Sequence, residues 1–166
     1  MAVLDALESD GISVWVDGGW GVDALVREQT RDHDDLDLVV SLVDCDLAMR
    51  SLQGLGFALY EDERPTRFVL GDEHDRRIDF HTVSFDDIGD GYQVLPDGSA
   101  HRYRRTALTG RGRIGNRHVR CLTGEAQIEC HLGYEPDEGD RRDMRALADR
   151  FQLVLPPPYR PRHTTG

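Results

Sequence analysis

Short apolar runs alternate with glycine and acidic residues along the first half of the chain, and their spacing predicts its elements. Val3, Leu4 and Leu7 share one helical face, whereas the apolar run at residues 12–16 is typical of a strand. The predicted strands cover residues 12–16, 36–40, 57–60, 67–70 and 77–83. The predicted helices cover residues 2–9, 20–28 and 44–53. This order favours an α+β fold, a mixed sheet with helices mainly on one face.

The second half of the chain is richer in turns. Pro96-Asp97-Gly98 and Gly115-Asn116 each predict the turn of a hairpin, and helices are expected over residues 124–132 and 139–150. We therefore expect a single domain over residues 1–153. Its core covers about residues 1–84, and a small hairpin and helical part covers about 85–153. The Pro-rich residues 154–166 are expected to form an extended or disordered tail.

The strand at 36–40 carries an unusual number of acids. Because side chains alternate along a strand, we expect His33, Asp35 and Asp37 to share one face and Leu36 and Leu38 to face the core. Acidic residues are depleted in strands, and two adjacent carboxylates repel each other. A bound divalent ion would offset that repulsion. Oxygen ligands favour Mg²⁺ over zinc.

A third acid comes from the strand at 77–83, where Asp79 and His81 share one face. If this strand lies near the strand at 36–40, Asp79 completes a cluster of three carboxylates. Two-metal phosphoryl and nucleotidyl transfer uses such a cluster. The alternative interpretation is that these acids lie on an edge strand and face water.

Gly18-Gly19 lies between a predicted strand and a predicted helix. At such a junction, backbone N–H groups and the helix dipole can hold phosphate. The pair matches neither the P-loop nor the dinucleotide-binding fingerprint, and alone it is as well explained by a plain turn. A strand, Gly-Gly, a helix, Asp-x-Asp and a later Asp together favour a nucleotide-dependent enzyme.

Composition limits which classes of partner the protein is expected to bind and in which compartment it is expected to work. A net charge of −11 argues against nucleic acid and suits a cationic small molecule. The three cysteines show no metal-ligand spacing, which indicates free thiols in a reducing compartment. No apolar run reaches about 18 residues, and acids interrupt the N-terminal segment, so we expect no membrane partner and a cytoplasmic location.

The string GGWGVDAL, followed by EQTR, a His and DLDL, resembles the polymerase-beta-type nucleotidyltransferase superfamily. It is most similar to the small antibiotic nucleotidyltransferases, namely the lincosamide and the aminoglycoside 2''-nucleotidyltransferases. The likeness covers most of residues 14–150 and continues through four further blocks: PTR (65–67), IDFH (78–81), GEAQ (124–127) and HLGY (131–134).

This resemblance implies a nucleotidyltransferase fold and an Mg²⁺-dependent transfer of a nucleoside monophosphate. The donor would be an NTP, ATP above all, and the acceptor a hydroxyl of a lincosamide or aminoglycoside, with pyrophosphate released. Asp35 and Asp37 would bind Mg²⁺, and Asp79 would be a metal ligand, the base or both. The implied triphosphate contacts are Gly18, Gly19, the helix start at Trp20 and the counter-charge Arg31, with Arg67 a weaker candidate.

The sequence allows more than one role for three of these residues, and a fourth departs from the lincosamide pattern. Trp20 is equally well explained as a core aromatic residue, and His33 and His81 either orient the carboxylates or are structural. Val39 is apolar at a position where some lincosamide enzymes carry an acid, so acceptor specificity does not transfer.

The resemblance also implies a homodimer with the acceptor pocket near the interface, in the part at 85–153. A surplus of apolar helix positions (Ile128, Leu132, Met144 and Leu147) points the same way. Two rival functions are a metal-dependent phosphohydrolase, using His33, His81 and the three acids, and a non-catalytic nucleotidyltransferase-fold antitoxin or nucleotide sensor.

Overall fold

The computed structural model describes residues 2–160, which form nine strands and five α-helices. The strands are β1 (Val14–Val16), β2 (Asp35–Ser41), β3 (Ala58–Glu63), β4 (Arg67–Gly71), β5 (Arg77–Phe85), β6 (Gly91–Val94), β7 (Ala100–Tyr103), β8 (Gly110–Ile114) and β9 (Arg117–Cys121). The helices are α1 (Ala2–Ser9), α2 (Gly18–Val26), α3 (Cys45–Gln53), α4 (Gly124–Cys130) and α5 (Glu138–Phe151). Both predicted hairpins are present, as β6–β7 and β8–β9.

Seven strands lie side by side in the order β3-β4-β5-β2-β1-β9-β8, and β6 joins the end of β5 and pairs with β7. The β2–β5 and β1–β9 pairs are parallel, and the others are antiparallel. The sheet is therefore mixed, which confirms the predicted α+β fold class.

The two faces of the sheet differ in what covers them. Leu38 and Val40 of β2 point into a core that includes Leu7 of α1, Leu52 of α3 and Leu147 of α5. The alternate residue of β2, Val39, packs on the other face in a smaller cluster, whose buried members also include Val83, Tyr103, Leu108, Leu122 and Ala126. The helices thus gather mainly on one face, and the opposite face is left for the acidic positions of β2 and β5.

One expectation about the C-terminal part is wrong. Ile128, Met144 and Leu147 are not surplus apolar surface, because all three are buried in the main core. Leu132 is 44% exposed, so it alone of the four is available for a partner. Packing within one chain explains the others.

The first part of the tail contacts the core through Tyr159. Residues 157–159 form a 3-10 turn, and Tyr159 is buried, with its hydroxyl donating to the carbonyl of His131 at 2.6 Å. A buried tyrosine with a satisfied hydroxyl holds a segment in place. The tail is therefore held to the core by Tyr159, while residues 154–156 form no helix or strand and Pro156 has extended backbone, and residues 161–166 lie outside the described part. Among residues 2–160, no helix is both long and apolar enough to cross a bilayer.

Candidate active site

Three acids form a row across three neighbouring strands. Asp37 of β2 lies opposite Asp79 of β5 in the parallel pair. Asp17 directly follows β1, and its backbone N–H donates to the carbonyl of Asp37 at 2.9 Å. Residues directly opposite each other in a sheet share a face. The row therefore consists of Asp17, Asp37 and Asp79, of which the sequence predicted the last two.

His81 lies beside this row, one pleat along β5. Its Nε2 is 3.5 Å from Oδ1 of Asp37, and Asp37, Asp79 and His81 each offer a potential metal-ligand atom within 4.8 Å of the others. Burial lowers the pKa of His81, but the hydrogen bond to Asp37 and the charges of Asp17 and Asp79 outweigh burial and raise that pKa to about 9. His81 is thus in place to orient the Asp37 carboxylate.

Asp79 carries the clearest sign of an incomplete site. Its Oδ2 accepts from Nη1 of Arg67 at 2.9 Å, whereas its Oδ1 is buried without a hydrogen-bond partner among residues 2–160. Burial raises the pKa of Asp79, and the nearby positive charges of His81 and Arg67 only partly offset that effect. An unpartnered buried carboxylate oxygen is unfavourable, and a hard divalent cation would satisfy it. The donor set therefore fits Mg²⁺.

Asp35 lies apart from this group. It shares the face of Asp37 and lines the same cleft, but it is exposed and its carboxylate is not within the 4.8 Å group. Partial burial and then the charges of Asp37 and Asp79 raise the pKa of Asp35. Asp35 thus feels the charges of Asp37 and Asp79 from the edge of the cleft.

The guanidinium of Arg67 already forms ion pairs with acidic side chains. Besides Asp79, its guanidinium donates to Glu61 at 2.7 Å and to Glu63 at 2.8 Å, both on β3. Its charge therefore neutralises carboxylates, and a phosphate would have to compete for it.

The start of α2 provides free donors next to the acids. Asp17 is the N-cap, and its Oδ1 accepts from the N–H of Gly18 at 2.8 Å. The N–H groups of Gly19 and Trp20 have no hydrogen-bond partner within the described chain. Gly18 has φ +58°, and a Cβ there would overlap the carboxylate of Asp37. Glycine therefore allows the helix to begin against the acidic row.

Gly19 and His33 have a different arrangement from the one predicted. β2 begins at Asp35, so His33 lies in the preceding loop and does not align with Asp35 and Asp37. Its Nε2 instead bonds to Oδ2 of the buried Asp23, and its ring occupies the space that a Cβ on Gly19 would need. His33 still lines the same cleft as Asp35 and Asp37, but it reaches that cleft from the loop before β2 and not from the strand itself.

The side chains of Trp20 and Arg31 are both held by contacts with other residues of the fold. The indole of Trp20 packs 4.8 Å from the His33 ring and against the main core, and it is not among the residues that line the cleft. Arg31 does line the cleft, but its Nε and Nη2 bond to Asp143, a fully buried acid of α5. Only the backbone of Trp20 and the remaining donors of Arg31 can reach a ligand in the cleft.

The cleft has two halves. The core half comprises its lining residues up to His81, and the C-terminal half those from Gln93 onward. Both arginines that line the cleft, Arg31 and Arg67, lie in the core half. The C-terminal half is lined by Gln93, Leu95, Pro96, His101, Tyr103, Glu129, Cys130, His131, Leu132, Tyr134 and Asp140. It is therefore acidic and aromatic.

Sequence reasoning missed three side chains of the site. Asp17 had a usable signal, because an acid directly before the first helical residue is the N-cap pattern. Gln93 and Tyr103 had none. Gln93 Nε2 lies 3.0 Å from the carbonyl of Thr66 and 3.4 Å from His81 Nδ1, and its Oε1 accepts from the Tyr103 hydroxyl at 3.0 Å. Only the folded hairpin brings these residues beneath the site.

Comparison with known proteins identifies the family of this chain. The model of the aminoglycoside-2''-adenylyltransferase family matches residues 1–147. The chain belongs to this family. A lincosamide resistance protein of Staphylococcus haemolyticus is 29% identical over 145 residues, which are 87% of this chain and 89% of that relative.

Solved structures of two antibiotic-modifying enzymes share the fold. The lincomycin-bound crystal structure of the lincosamide antibiotic adenylyltransferase LnuA has a TM-score of 0.77 and 29% identity, over 87% of this chain and 91% of that one. The crystal structure of ANT(2'')-Ia with adenylyl-2''-tobramycin has a TM-score of 0.71 and 21% identity, over 89% of this chain and 84% of that one.

Family membership confirms the resemblance that the sequence predicted. The protein is a nucleotidyltransferase, an enzyme class that uses a nucleoside triphosphate as co-substrate, and its relatives act on small molecules.

Proposed function

We propose that this enzyme transfers AMP from ATP, with Mg²⁺, to a hydroxyl of a lincosamide or aminoglycoside antibiotic. The observation that carries the proposal is the juxtaposition of paired carboxylates, Asp37 and Asp79, with the free N–H groups of a helix N-terminus. The relatives act on antibiotics of these two classes, as their names state.

Asp35, Asp37 and Asp79 would hold the metal. The unpartnered Oδ1 of Asp79 and the mutual repulsion of the acids support this assignment. Mg²⁺ would neutralise charge on the phosphate oxygens and align the attacking and leaving oxygens.

The triphosphate would lie in the core half, at the start of α2. The N–H groups of Gly19 and Trp20 are free to donate there, and the helix dipole adds a favourable field. Gly18 keeps this helix start close to Asp37, and Arg31 supplies positive charge at the edge of the cleft.

The acceptor would lie in the C-terminal half. Its acids suit a cationic amine, and its aromatic side chains suit the apolar surface of a sugar-like molecule. The acceptor hydroxyl attacks the α-phosphorus, Asp79 takes the hydroxyl proton, and pyrophosphate leaves with the electrons of the broken P–O bond.

The predicted homodimer stays part of this proposal. Leu132 and Tyr134 are 44% and 50% exposed at the C-terminal half of the cleft, which is where a second subunit would complete an acceptor pocket. Light scattering at micromolar concentration should give the mass of a dimer. The mass of a monomer would remove this part of the proposal.

Mass spectrometry tests the proposed transfer. Lincosamides and aminoglycosides incubated with ATP, Mg²⁺ and the wild-type protein should gain the mass of one AMP. The Asp37→Asn variant should give no product, whereas Asp34→Asn, an exposed neighbour outside the cleft lining, should behave like wild type. No adduct on any member of either class would contradict the proposal.

A further inference from the structure

Residues 153–160, which we call the strap, follow α5 and contact a residue of the C-terminal half of the cleft. Leu153 and Leu155 pack against the main core, and Tyr159 is 5% exposed within it. The family match covers residues 1–147, so the strap lies beyond the matched part of the chain. What the strap does is therefore not given by the family match.

The strap is tied to the end of α4 by a side-chain hydrogen bond. The Tyr159 hydroxyl donates to the carbonyl of His131 at 2.6 Å. His131 is the C-cap of α4, where a helix leaves its last carbonyls without an internal partner. Arg141 of α5 adds a second tie, because its guanidinium donates to the carbonyls of Pro158 at 2.6 Å and Pro136 at 3.3 Å. The strap therefore helps to hold the segment between α4 and α5.

His131 is the cleft residue that the Tyr159 hydroxyl holds. Its Nδ1 lies 2.7 Å from the Gln127 carbonyl, and a carbonyl oxygen only accepts, so Nδ1 donates in this bond. Nε2 is then the ring nitrogen left for another partner. It lies 3.7 Å from Oδ1 of Asp140, and 10% of the His131 side chain is exposed. Both His131 and Asp140 line the C-terminal half of the cleft.

Nε2 of His131 and the Asp140 carboxylate form a pair of neighbouring acceptors. In the neutral ring Nε2 carries a lone pair, and 3.7 Å is too long for a direct hydrogen bond to Oδ1. The Tyr134 hydroxyl donates to the same Oδ1 at 3.2 Å, and no hydrogen bond reaches Nε2 from within residues 2–160. A hydroxyl or amine of a ligand carries the donors that such a pair binds. The spacing of the pair depends on where His131 is held.

We propose that Tyr159 is a positioning residue for the acceptor. By holding the backbone of His131, it keeps Nε2 beside Asp140, so that the two groups accept hydrogen bonds from a hydroxyl or amine of the acceptor. This inference rests on the proposed function for the identity of the acceptor. No residue of the strap lines the cleft, and the proposed nucleotide contacts all lie in the core half, so nucleotide binding does not depend on Tyr159.

Calorimetry with Tyr159→Phe tests the inference, because phenylalanine keeps the buried ring and removes only the hydroxyl. Lincomycin and tobramycin are titrated into wild-type and variant protein, and a non-hydrolysable ATP analogue with Mg²⁺ is titrated separately. The Kd of the antibiotic should rise about 3–10-fold, the equivalent of one neutral hydrogen bond, and the Kd of the nucleotide should stay the same. Tyr60→Phe is the control, since Tyr60 is 66% exposed and outside the cleft lining, and it should change neither Kd.

A second background separates positioning from a general loosening of the fold. His131→Asn keeps an N–H donor near the Gln127 carbonyl and removes Nε2, so it should weaken antibiotic binding by itself. If Tyr159 acts through His131, adding Tyr159→Phe to this variant should cause no further loss of antibiotic affinity. A loss that comes from destabilisation alone would persist in that background.

The outcomes are distinct. Unchanged antibiotic affinity in Tyr159→Phe, an equal loss of nucleotide affinity, or a full further loss in the His131→Asn background would overturn the inference and leave Tyr159 as a core residue only. Mass spectrometry for AMP transfer separates this result from the proposed function. Weaker antibiotic binding in Tyr159→Phe without any transfer by wild-type protein would support the inference and remove the proposed function. Transfer by wild-type protein with no effect of Tyr159→Phe would do the reverse, and wild-type protein that neither binds nor modifies either antibiotic would remove both.

Discussion

The two halves of the cleft are built in different ways. In the core half, the acids lie on adjacent strands, and the hydrogen-bond ladder between β2 and β5 fixes Asp37 opposite Asp79. In the C-terminal half, the lining side chains come from the β6–β7 hairpin, from α4, from the segment between α4 and α5 and from the first turn of α5. A sheet fixes relative positions, whereas loops and helix ends tolerate change. This division suits an enzyme family that keeps one reaction and varies its acceptor.

The largest effect should come from the metal position of the core half. Asp37→Asn should lower the transfer rate by about 10³-fold or more, because a metal site contributes several kcal/mol of charge stabilisation. Removing one of several adjacent like charges should leave the melting temperature in EDTA equal or higher. Steady-state rates and thermal unfolding measure both effects. Near wild-type transfer in this variant, with Asp34→Asn as the matched control, would show that the acidic row is not the metal site.

A smaller effect should come from the helix start. Gly18→Ala places a Cβ against the Asp37 carboxylate at φ +58°, so affinity for a non-hydrolysable ATP analogue with Mg²⁺ should fall by about 10-fold or more. Gly115→Ala is the control, since it has φ +57° but open space around its Cβ. Both variants should lose about 1–2 kcal/mol of folding stability, the usual cost of a left-handed residue. Equal nucleotide affinity in both would mean that Gly18 is only a turn residue.

These two regions also differ in how far the sequence predicts them. Alternation predicts the face of β2 that carries Asp37 and the face of β5 that carries Asp79, because the period of a strand is local. That the two strands pair with these acids opposite each other is seen only in the structure. Asp17 joined the row only through the pairing of β1 with β2. His33 reaches the cleft from the loop before β2 and not by strand alternation, because the strand begins two residues after it. Gln93 and Tyr103 reach the site through a hairpin whose position no local pattern encodes.

Arg31 is another residue whose contact no local pattern predicts, and its replacement should destabilise the fold. Its partner Asp143 is 112 residues away, so no local pattern indicates the pair. Arg31→Met would leave Asp143 buried without its cation. Removing one member of a buried pair costs about 3–5 kcal/mol, and we expect about 2–3 kcal/mol because the Arg31 side chain is 27% exposed.

Urea denaturation measures this loss, with Arg77→Met as the control. Arg77 pairs with Asp75, which is 93% exposed, so its replacement should cost less than about 1 kcal/mol. A stable Arg31→Met variant with greatly reduced nucleotide affinity would instead make Arg31 chiefly a phosphate ligand.

The smallest effect should come from Gln93, whose side chain contacts His81 and Tyr103 beside the acidic row. Gln93→Leu removes the amide that joins the Tyr103 hydroxyl, the Thr66 carbonyl and His81. Nucleotide affinity should change little, because no phosphate contact is lost. The transfer rate should fall by about 3–10-fold, the equivalent of one neutral hydrogen bond of about 0.5–1.5 kcal/mol. A variant with wild-type kinetics would show that the hairpin does not position His81.

The most direct test of the account is the Mg²⁺ dependence of AMP transfer by Asp79→Asn, since Asp79 joins the metal cluster to the transfer step. The transfer rate should fall by about 10²–10⁴-fold at low Mg²⁺, the range expected for a positioned base. Recovery at high Mg²⁺ would make Asp79 mainly a metal ligand, and no recovery would make it mainly the base. Both results agree with a carboxylate site built by β2 and β5. Normal transfer at every Mg²⁺ concentration would contradict that site.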